Sequence, residues 1–206
     1  MRNEPIFTQY CVLSAMEPYV FEKDLFGYRS PGDRKTQIKG TGMKGEKGME
    51  ESNYIVEVDS FRMAIPKNLL FTDSHVWVKP LQNNQLMLGL TEPHVVLLGG
   101  IAFLEYQVDE SETVSEGELI AILEAYKTTS ELKSPISGRV ISVNRELPRK
   151  TRFIETNPYD KGWLFTLEPE NSAQYRNALL EPKAYYELIL REVAQRNEGA
   201  VPPSSR

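Results

Sequence analysis

The sequence predicts a mainly β protein, a β-sandwich or flattened barrel, with one helix at its C-terminal end and an extension at its N-terminal end. Between residues 69 and 167, short half-apolar segments alternate with turn residues, which is typical of sandwiches and barrels. The segments are HVWVKPL, QLMLGL, IAFLEYQV, LIAILEA, TSELKSPI, GRVISVN and GWLFTLEP. After them the apolar residues recur at helical spacing, and Pro182 suits a first helical turn. The residues that share this helical face are Tyr185, Leu188, Ile189 and Val193.

The segments before residue 66 predict an N-terminal extension, residues 1–65. Within it, residues 29–52 are rich in glycine, lysine and polar residues, a composition that disfavours a packed core and indicates a loop or linker. The following NYIVEVDSF alternates apolar and acidic residues, which predicts one half-buried strand. We expect the main domain to span residues 66–195 and the last residues, 196–206, to fray.

Composition and charge exclude several classes of protein. Of the 206 residues, 40% are hydrophobic and 26% are charged, which is ordinary for a globular protein. The apolar run VVLLGGIAFL is too short to cross a bilayer, and the net charge of −5 disfavours nonspecific nucleic-acid binding. The first 50 residues carry no continuous apolar stretch and nearly as many acids as bases, unlike a secretory signal or a transit peptide. These observations predict a cytoplasmic protein that binds neither nucleic acid nor membrane.

Cysteine and histidine are too few to suggest a metal centre. The chain has one cysteine, Cys11, and two histidines, His75 and His94, so the ligand clusters of a zinc site are missing from the sequence. Cys11 stands beside tyrosine and valine, which favours a small buried hydrophobe over a reactive thiol. Neither histidine has a visible catalytic partner, and we expect both to be structural or surface residues.

Signals for enzymatic chemistry are weak. GTGMKG at residues 40–45 matches the three-glycine dinucleotide-binding pattern, but the buried strand before it and the amphipathic helix after it are missing. A flexible glycine loop is the better interpretation. No Gly-x-Ser-x-Gly elbow, catalytic carboxylate pair or Cys-His couple stands out either, so the sequence suggests no catalytic residues.

One lysine stands in an unusual setting. Lys127 separates the predicted strands LIAILEA and TSELKSPI, with no glycine or asparagine beside it to make an ordinary tight turn. An exposed loop lysine would need no explanation. Here, however, Ala125, Thr128 and Thr129 are small neighbours, and the two flanking strands would present the amine at a rigid tip. This setting suits a lysine that carries a prosthetic arm.

The stretch EAYKTTSELKSPISGRVISVN, followed by NPYDKGWLFTL, resembles the H protein family of the glycine cleavage system, the lipoyl carriers. The resemblance extends from about residue 70 to residue 190 and includes the His75–Trp77 pair in TDSHVWV, the segment LGLTE, and Gly117 ten residues before the lysine. A biotin carrier is the nearest alternative, but its lysine usually lies between two methionines, and here Tyr126 and Thr128 flank it.

The resemblance implies a lipoyl or hammerhead-type β-sandwich with lipoate attached covalently to Lys127. It also implies that Glu124 is recognised during lipoylation and that Gly117 belongs to the cofactor-binding region. The implied function is a non-catalytic carrier subunit that shuttles an aminomethyl group in glycine catabolism. The implied partners are glycine decarboxylase, aminomethyltransferase, dihydrolipoyl dehydrogenase and the lipoate-attaching enzymes.

The sequence also departs from the family pattern. Pro93, His94 and Val95 replace the usual His-Ala-Gln after LGLTE, YQVDES replaces a Leu-Pro-x-x-Gly turn, and LPRKTRFIE is unusually basic. Two alternatives therefore stay open. The chain could be a specialised lipoate-binding relative with another cargo, such as sulfur intermediates, or an unlipoylated interaction module.

Overall fold

The computed structural model describes residues 52–58, 61–125, 128–171 and 175–199. Cys11 and the GTGMKG segment lie outside these ranges. Within them, none of the helices is long and apolar enough to cross a membrane.

Strands dominate the described residues and pair antiparallel throughout. The strands are β1 (Asn53–Val58), β2 (Phe61–Pro66), β3 (Leu70–Phe71), β4 (Val76–Pro80), β5 (Leu86–Leu90), β6 (Ile101–Tyr106), β7 (Thr113–Val114), β8 (Leu119–Ala125), β9 (Thr129–Lys133), β10 (Gly138–Val143) and β11 (Trp163–Pro169). They form a hairpin of β1 and β2, a six-stranded sheet in the order β3-β4-β5-β11-β10-β7, and a three-stranded sheet in the order β6-β8-β9.

Helices occupy three connections and the C-terminal end of the described chain. They are α1 (Glu92–Leu98), a 3-10 turn (Leu147–Arg149), α2 (Arg152–Thr156), a second 3-10 turn (Tyr175–Ala178) and α3 (Pro182–Gly199). The mainly β fold with a C-terminal helix is thus confirmed, as are the seven strand segments between residues 69 and 169.

The main core lies between the six-stranded and the three-stranded sheets. The first sheet contributes alternate residues such as Val76 and Val78, and the second contributes Leu104, Ile120 and Leu123. All five side chains are at most 2% exposed. The two-residue period of a strand thus points one row of side chains from each sheet into a shared interior.

A second core covers the other face of the six-stranded sheet. Trp77 points away from its neighbours Val76 and Val78 and joins Phe71 in a cluster with residues of β1, β2 and α3. Those residues are Val56, Met63, Ile65, Tyr185, Ile189 and Val193. The first three residues of β4, Val76 to Val78, are therefore buried on both faces, which accounts for their continuous apolar sequence.

Gly89 makes room for the largest side chain of this second core. It lies directly opposite Trp77 in the β4–β5 ladder, and a Cβ placed on it would come within 2.6 Å of the indole ring. The indole Nε1 donates to the carbonyl of Pro158 at 3.0 Å, so the ring cannot move aside without losing a buried hydrogen bond.

Helix α1 was not predicted from the apolar run VVLLGGIAFL, although its boundaries have sequence signals. Thr91 has the extended backbone of an N-cap, proline stands in the first turn, and Gly99 ends the helix with a φ of +80°. The N–H of Gly99 and the N–H of Gly100 return to the last turn of the helix, a common way for a helix to terminate. The glycine pair therefore separates a helix from strand β6 within one apolar run.

A buried polar network joins α3 to the six-stranded sheet. The hydroxyl of Tyr185 lies 2.6 Å from Thr91 Oγ1 and 3.0 Å from His75 Nδ1, while its ring stacks on Phe71 with centroids 4.5 Å apart. Burial raises the pKa of Tyr185, so the hydroxyl stays neutral and can serve as both donor and acceptor.

A second polar contact holds β2 against α1. The Glu92 carboxylate accepts the N–H of Ala64 at 2.9 Å, and the Tyr159 hydroxyl donates to the carbonyl of Ala64 at 2.7 Å. Tyr159 in turn accepts the N–H of Glu92 at 3.0 Å. Both backbone groups of Ala64 are thus satisfied by side chains from elsewhere in the chain, which fixes the hairpin β1–β2 beside α1.

Removing the Tyr185 hydroxyl tests the first network. Tyr185→Phe keeps the stacked ring but deprives the fully buried Thr91 hydroxyl of its partner, so we expect the free energy of unfolding in urea to fall by about 1–3 kcal/mol. The control is Tyr186→Phe, whose ring stacks on Tyr54 and which should change stability by less than about 0.5 kcal/mol. Equal losses in the two variants would contradict the network.

The pH dependence of stability tests the second contact. Burial raises the pKa of Glu92 above 4.5, and the Ala64 N–H lowers it by less. Between 4.5 and this raised pKa, the folded chain holds a proton that the unfolded chain has released, so the free energy of unfolding falls as pH rises. Glu92→Gln keeps an acceptor for the Ala64 N–H and does not titrate. Its stability relative to the wild type should therefore increase between about pH 4 and pH 7.

Thermal unfolding across that pH range measures the effect. Glu187→Gln, at an exposed position of α3, controls for the loss of one carboxylate. A stability difference between Glu92→Gln and the wild type that stays constant with pH would show that protonation of Glu92 is not linked to folding.

Candidate functional site

Strands β8 and β9 form a hairpin on either side of the predicted attachment lysine. The N–H of Ala125 donates to the carbonyl of Thr128 at 2.9 Å, so the two strands remain hydrogen-bonded at the end of the described hairpin. Only Tyr126 and Lys127 separate this pair in the sequence, and both lie outside the described residues. The structure therefore fixes the two ends between which Lys127 stands.

Glu124 lies on the outer face of this hairpin, one residue before the last hydrogen bond. It is paired across the sheet with Thr129 of β9 and with Phe103 of β6. All three side chains are exposed, whereas the next row of the sheet includes the buried Leu104 and Leu123. The alternation of β8 thus directs the predicted recognition residue to solvent.

A β-bulge in β6 decides which side chains of that strand face outward. Ile101 pairs with Ala125 and Phe103 pairs with Glu124, which leaves Ala102 as an extra residue. Because of the extra residue, Ile101 and Leu104 are both buried while Phe103 is 43% exposed. The sequence gives no sign of this, since IAFL is a continuous apolar run.

Helix α2 holds the same end of β6. The Glu155 carboxylate accepts the N–H of Ile101 at 3.0 Å. This bond satisfies a backbone donor at the bulge, where the ladder to β8 is interrupted. Glu155 was not predicted as a site residue, and it positions the strand that lies beside Glu124.

Gly117 lies at the other end of β8. It precedes the strand by two residues with a φ of +83°, and its N–H donates to the carbonyl of Ser134 at 2.8 Å. The length of β8 places it roughly 20–25 Å from Ala125. The structure therefore does not bring Gly117 beside Glu124, and an added Cβ would meet nothing within 4 Å. Its backbone conformation, rather than close packing, calls for glycine.

The two histidines lie together, and His75 contacts α3 through Tyr185 and Glu192. His75 stacks on His94 with centroids 4.5 Å apart, and its Nε2 lies 3.6 Å from a Glu192 carboxylate oxygen. His75 has a φ of +62°, a left-handed conformation that is uncommon outside glycine. These contacts fit the structural role expected for His75.

A cleft of about 660 Å³ opens beside the end of β6 that is remote from Glu124. It is lined by Tyr106, Gln107, Val108, Asp109, Glu112, Val143, Arg145, Pro148 and Arg149. Most of these residues belong to, or adjoin, YQVDES and LPRKTRFIE, two of the segments that depart from the family pattern. Arg145 Nε lies 3.3 Å from a Glu110 carboxylate oxygen at its rim.

A family model and two sequence relatives agree on one family. The family model described as "Glycine cleavage H-protein" matches residues 69–192. Two relatives described as "Glycine cleavage system H protein" come from Listeria monocytogenes serotype 4a (strain HCC23) and serovar 1/2a (strain ATCC BAA-679 / EGD-e). Each is 35% identical over 127 residues, which cover 62% of this chain and 99% of the relative. A crystal structure of a glycine cleavage system H protein from Mycobacterium marinum is 29% identical, covering 65% of this chain and 99% of that one, with a TM-score of 0.49.

Substitutions at Gly117 test its conformational role. Gly117→Ala should lower the free energy of unfolding by about 1–2 kcal/mol, because alanine is strained at a positive φ even where its Cβ meets no neighbour. Gly117→Asn should lose less, since asparagine tolerates this conformation better. Urea unfolding of both variants measures the difference. A larger loss for asparagine would indicate a steric cause instead.

Proposed function

The chain belongs to the glycine cleavage H-protein family, and on that premise we propose that it is a lipoyl-lysine carrier that shuttles an aminomethyl group between enzymes of the glycine cleavage system. The enzymes it would serve are glycine decarboxylase, aminomethyltransferase and dihydrolipoyl dehydrogenase. The carrier itself would contribute no catalytic residue. The observation that carries the proposal is the hairpin closed by Ala125 and Thr128, which leaves two residues between paired strands, the second of them Lys127.

The described residues around this gap fit an acylated lysine. Ala125 and Thr128 are small and half-buried, and Glu124 and Thr129 are exposed, so the strand residues that flank the gap leave it open to a modifying enzyme. Strand β8 is hydrogen-bonded to β6 on one side and to β9 on the other, which makes the support rigid. In this proposal Lys127 holds the lipoyl group through an amide at Nζ and Glu124 is recognised by the lipoate-attaching enzymes. Gly117 acts from a distance by setting the start of β8.

When bound, a lipoyl group supplies a dithiolane whose sulfur atoms accept and release a group by thiol–disulfide chemistry. The chain's own contribution is to present Lys127 at the end of a strand that is hydrogen-bonded on both sides, and to offer surfaces on which the enzymes dock. Acylation also removes the positive charge of Lys127.

One observation favours the specialised-carrier alternative. The cleft beside Tyr106 is lined largely by segments that differ from the family pattern, and it carries arginine and acidic side chains together. A cleft with a different lining would bind a different docking partner. The cargo would then differ as well, for example sulfur intermediates. Glycine–bicarbonate exchange separates the two functions, because only the aminomethyl carrier supports it.

Replacing the attachment lysine tests the carrier function. Lys127→Arg keeps the charge but offers no acylable amine, so we expect no lipoyl adduct by intact mass and a loss of glycine–bicarbonate exchange to background. Its stability should change by less than about 0.5 kcal/mol. The matched control is Lys133→Arg on the same hairpin, an exposed position that should keep both the adduct and the exchange activity.

The wild-type protein purified from its native host decides among the alternatives. A digest that locates a lipoyl group on Lys127, together with exchange activity, supports the aminomethyl carrier. A lipoylated protein without exchange activity points to another cargo. An unmodified Lys127 in cells that lipoylate other proteins would support the third alternative, an unlipoylated interaction module.

A further inference from the structure

The outer face of the three-stranded sheet carries an exposed aromatic ring among carboxylates. Phe103 pairs directly with Glu124, and the next outward-facing row contains Glu105, Ile122 and Glu131. Phe103 is 43% exposed, one of two large hydrophobic side chains that remain exposed among the described residues. We call these five residues the Phe103 face.

The ring is exposed because of the backbone, and cannot turn inward. The bulge at Ala102 gives both inward positions of this part of β6 to Ile101 and Leu104, which are at most 2% exposed. Burying Phe103 would require a shift in register that exposes one of them. An exposed phenylalanine that the fold holds in place is a candidate for burial by a partner.

The Phe103 face is continuous with the predicted attachment site. Directly paired residues on one face have Cβ atoms about 5 Å apart, so Phe103 lies next to Glu124, three residues before Lys127. A specific interface buries about 800 Å² on each partner. An enzyme that reaches Lys127 therefore also covers the face around Glu124.

The length of the arm distinguishes the enzyme that attaches it from the enzymes that use it. The attaching enzyme must bring its active site to a bare amine at the end of a four-carbon stem, close to the sheet. An enzyme that acts on the dithiolane works at the far end of a much longer arm and need not touch the hairpin. Close contact with the Phe103 face is thus required at one step only.

We propose that Phe103 is a specificity-determining contact for the lipoate-attaching enzyme, which would bind its ring in an apolar recess bordered by basic side chains. The basic border follows from the charges of the Phe103 face, where Glu105, Glu124 and Glu131 outweigh the nearby Lys133, whose Nζ lies 3.3 Å from Glu131. This inference rests on the proposed function. In the reaction, Lys127 Nζ forms an amide with the carboxyl carbon of a lipoyl adenylate, and AMP and a proton are released.

The experiment measures the rate of lipoylation of the full-length apo protein by a lipoate–protein ligase supplied with lipoate and ATP. Phe103→Ala should lower kcat/KM by about tenfold, and Phe103→Leu should recover most of the loss because it restores apolar contact. The matched control is Phe61→Ala, which removes the other exposed ring, 56% exposed on β2, and should stay within about twofold of the wild type. Thermal unfolding of each variant shows that the fold is kept.

Ionic strength and a second assay separate the outcomes. Glu105→Gln should lower kcat/KM at low salt and converge with the wild type as salt rises. Wild-type rates for Phe103→Ala would overturn the inference, and so would normal lipoylation combined with a loss of glycine–bicarbonate exchange, which would assign the face to a later enzyme. If the wild-type protein takes no lipoyl group on Lys127, the proposed function fails as well, and this result is distinct from equal rates in all variants.

Discussion

The placement of strand β8 at the centre of its sheet is the constraint on which the candidate site depends. Hydrogen bonds to β6 on one side and β9 on the other fix its position, and Ile120 and Leu123 fix its inner face in the main core. With both constraints in place, the strand cannot shift by one residue without exposing its buried row. Glu124 is outward-facing for that reason, and the hydrogen bond from Ala125 to Thr128 closes the described part of the hairpin.

Much of this arrangement is visible in the sequence because the strands are short and are bounded by turn residues. LIAILEA and TSELK are both strands, and their outward-facing residues include Glu124 and Thr129. HVWVKPL begins with three apolar strand residues, Val76 to Val78, that are all buried, yet its strand assignment needed only its short length and its flanking turns. The setting of Lys127 between two strands was likewise predictable, while its attachment role depends on family resemblance.

Features that interrupt the regular periods were not predictable. The run VVLLGGIAFL contains a helix, two left-handed glycines and a bulged strand, and its apolar residues look alike in all three. The bulge at Ala102 changes which residue faces solvent, and only the pairing with β8 reveals it. The contact between Glu92 and Ala64, 28 residues apart, has no sequence signal either. A glutamate in a first helical turn is already explained by its interaction with the helix dipole, so nothing about it indicates a distant partner.

The two sheets differ in how they are covered, and the difference bears on function. The six-stranded sheet buries Trp77 and Phe71 under β1, β2 and α3, so its outer face is occupied by the chain itself. The three-stranded sheet has an outer face of Phe103, glutamates and a half-buried isoleucine. In the proposed carrier, the surface beside Glu124 has to stay open to an enzyme, whereas the sheet that does not contain β8 has no such requirement. The hairpin of β1 and β2 covers that second sheet over Trp77 and Phe71, and Glu124 stays exposed.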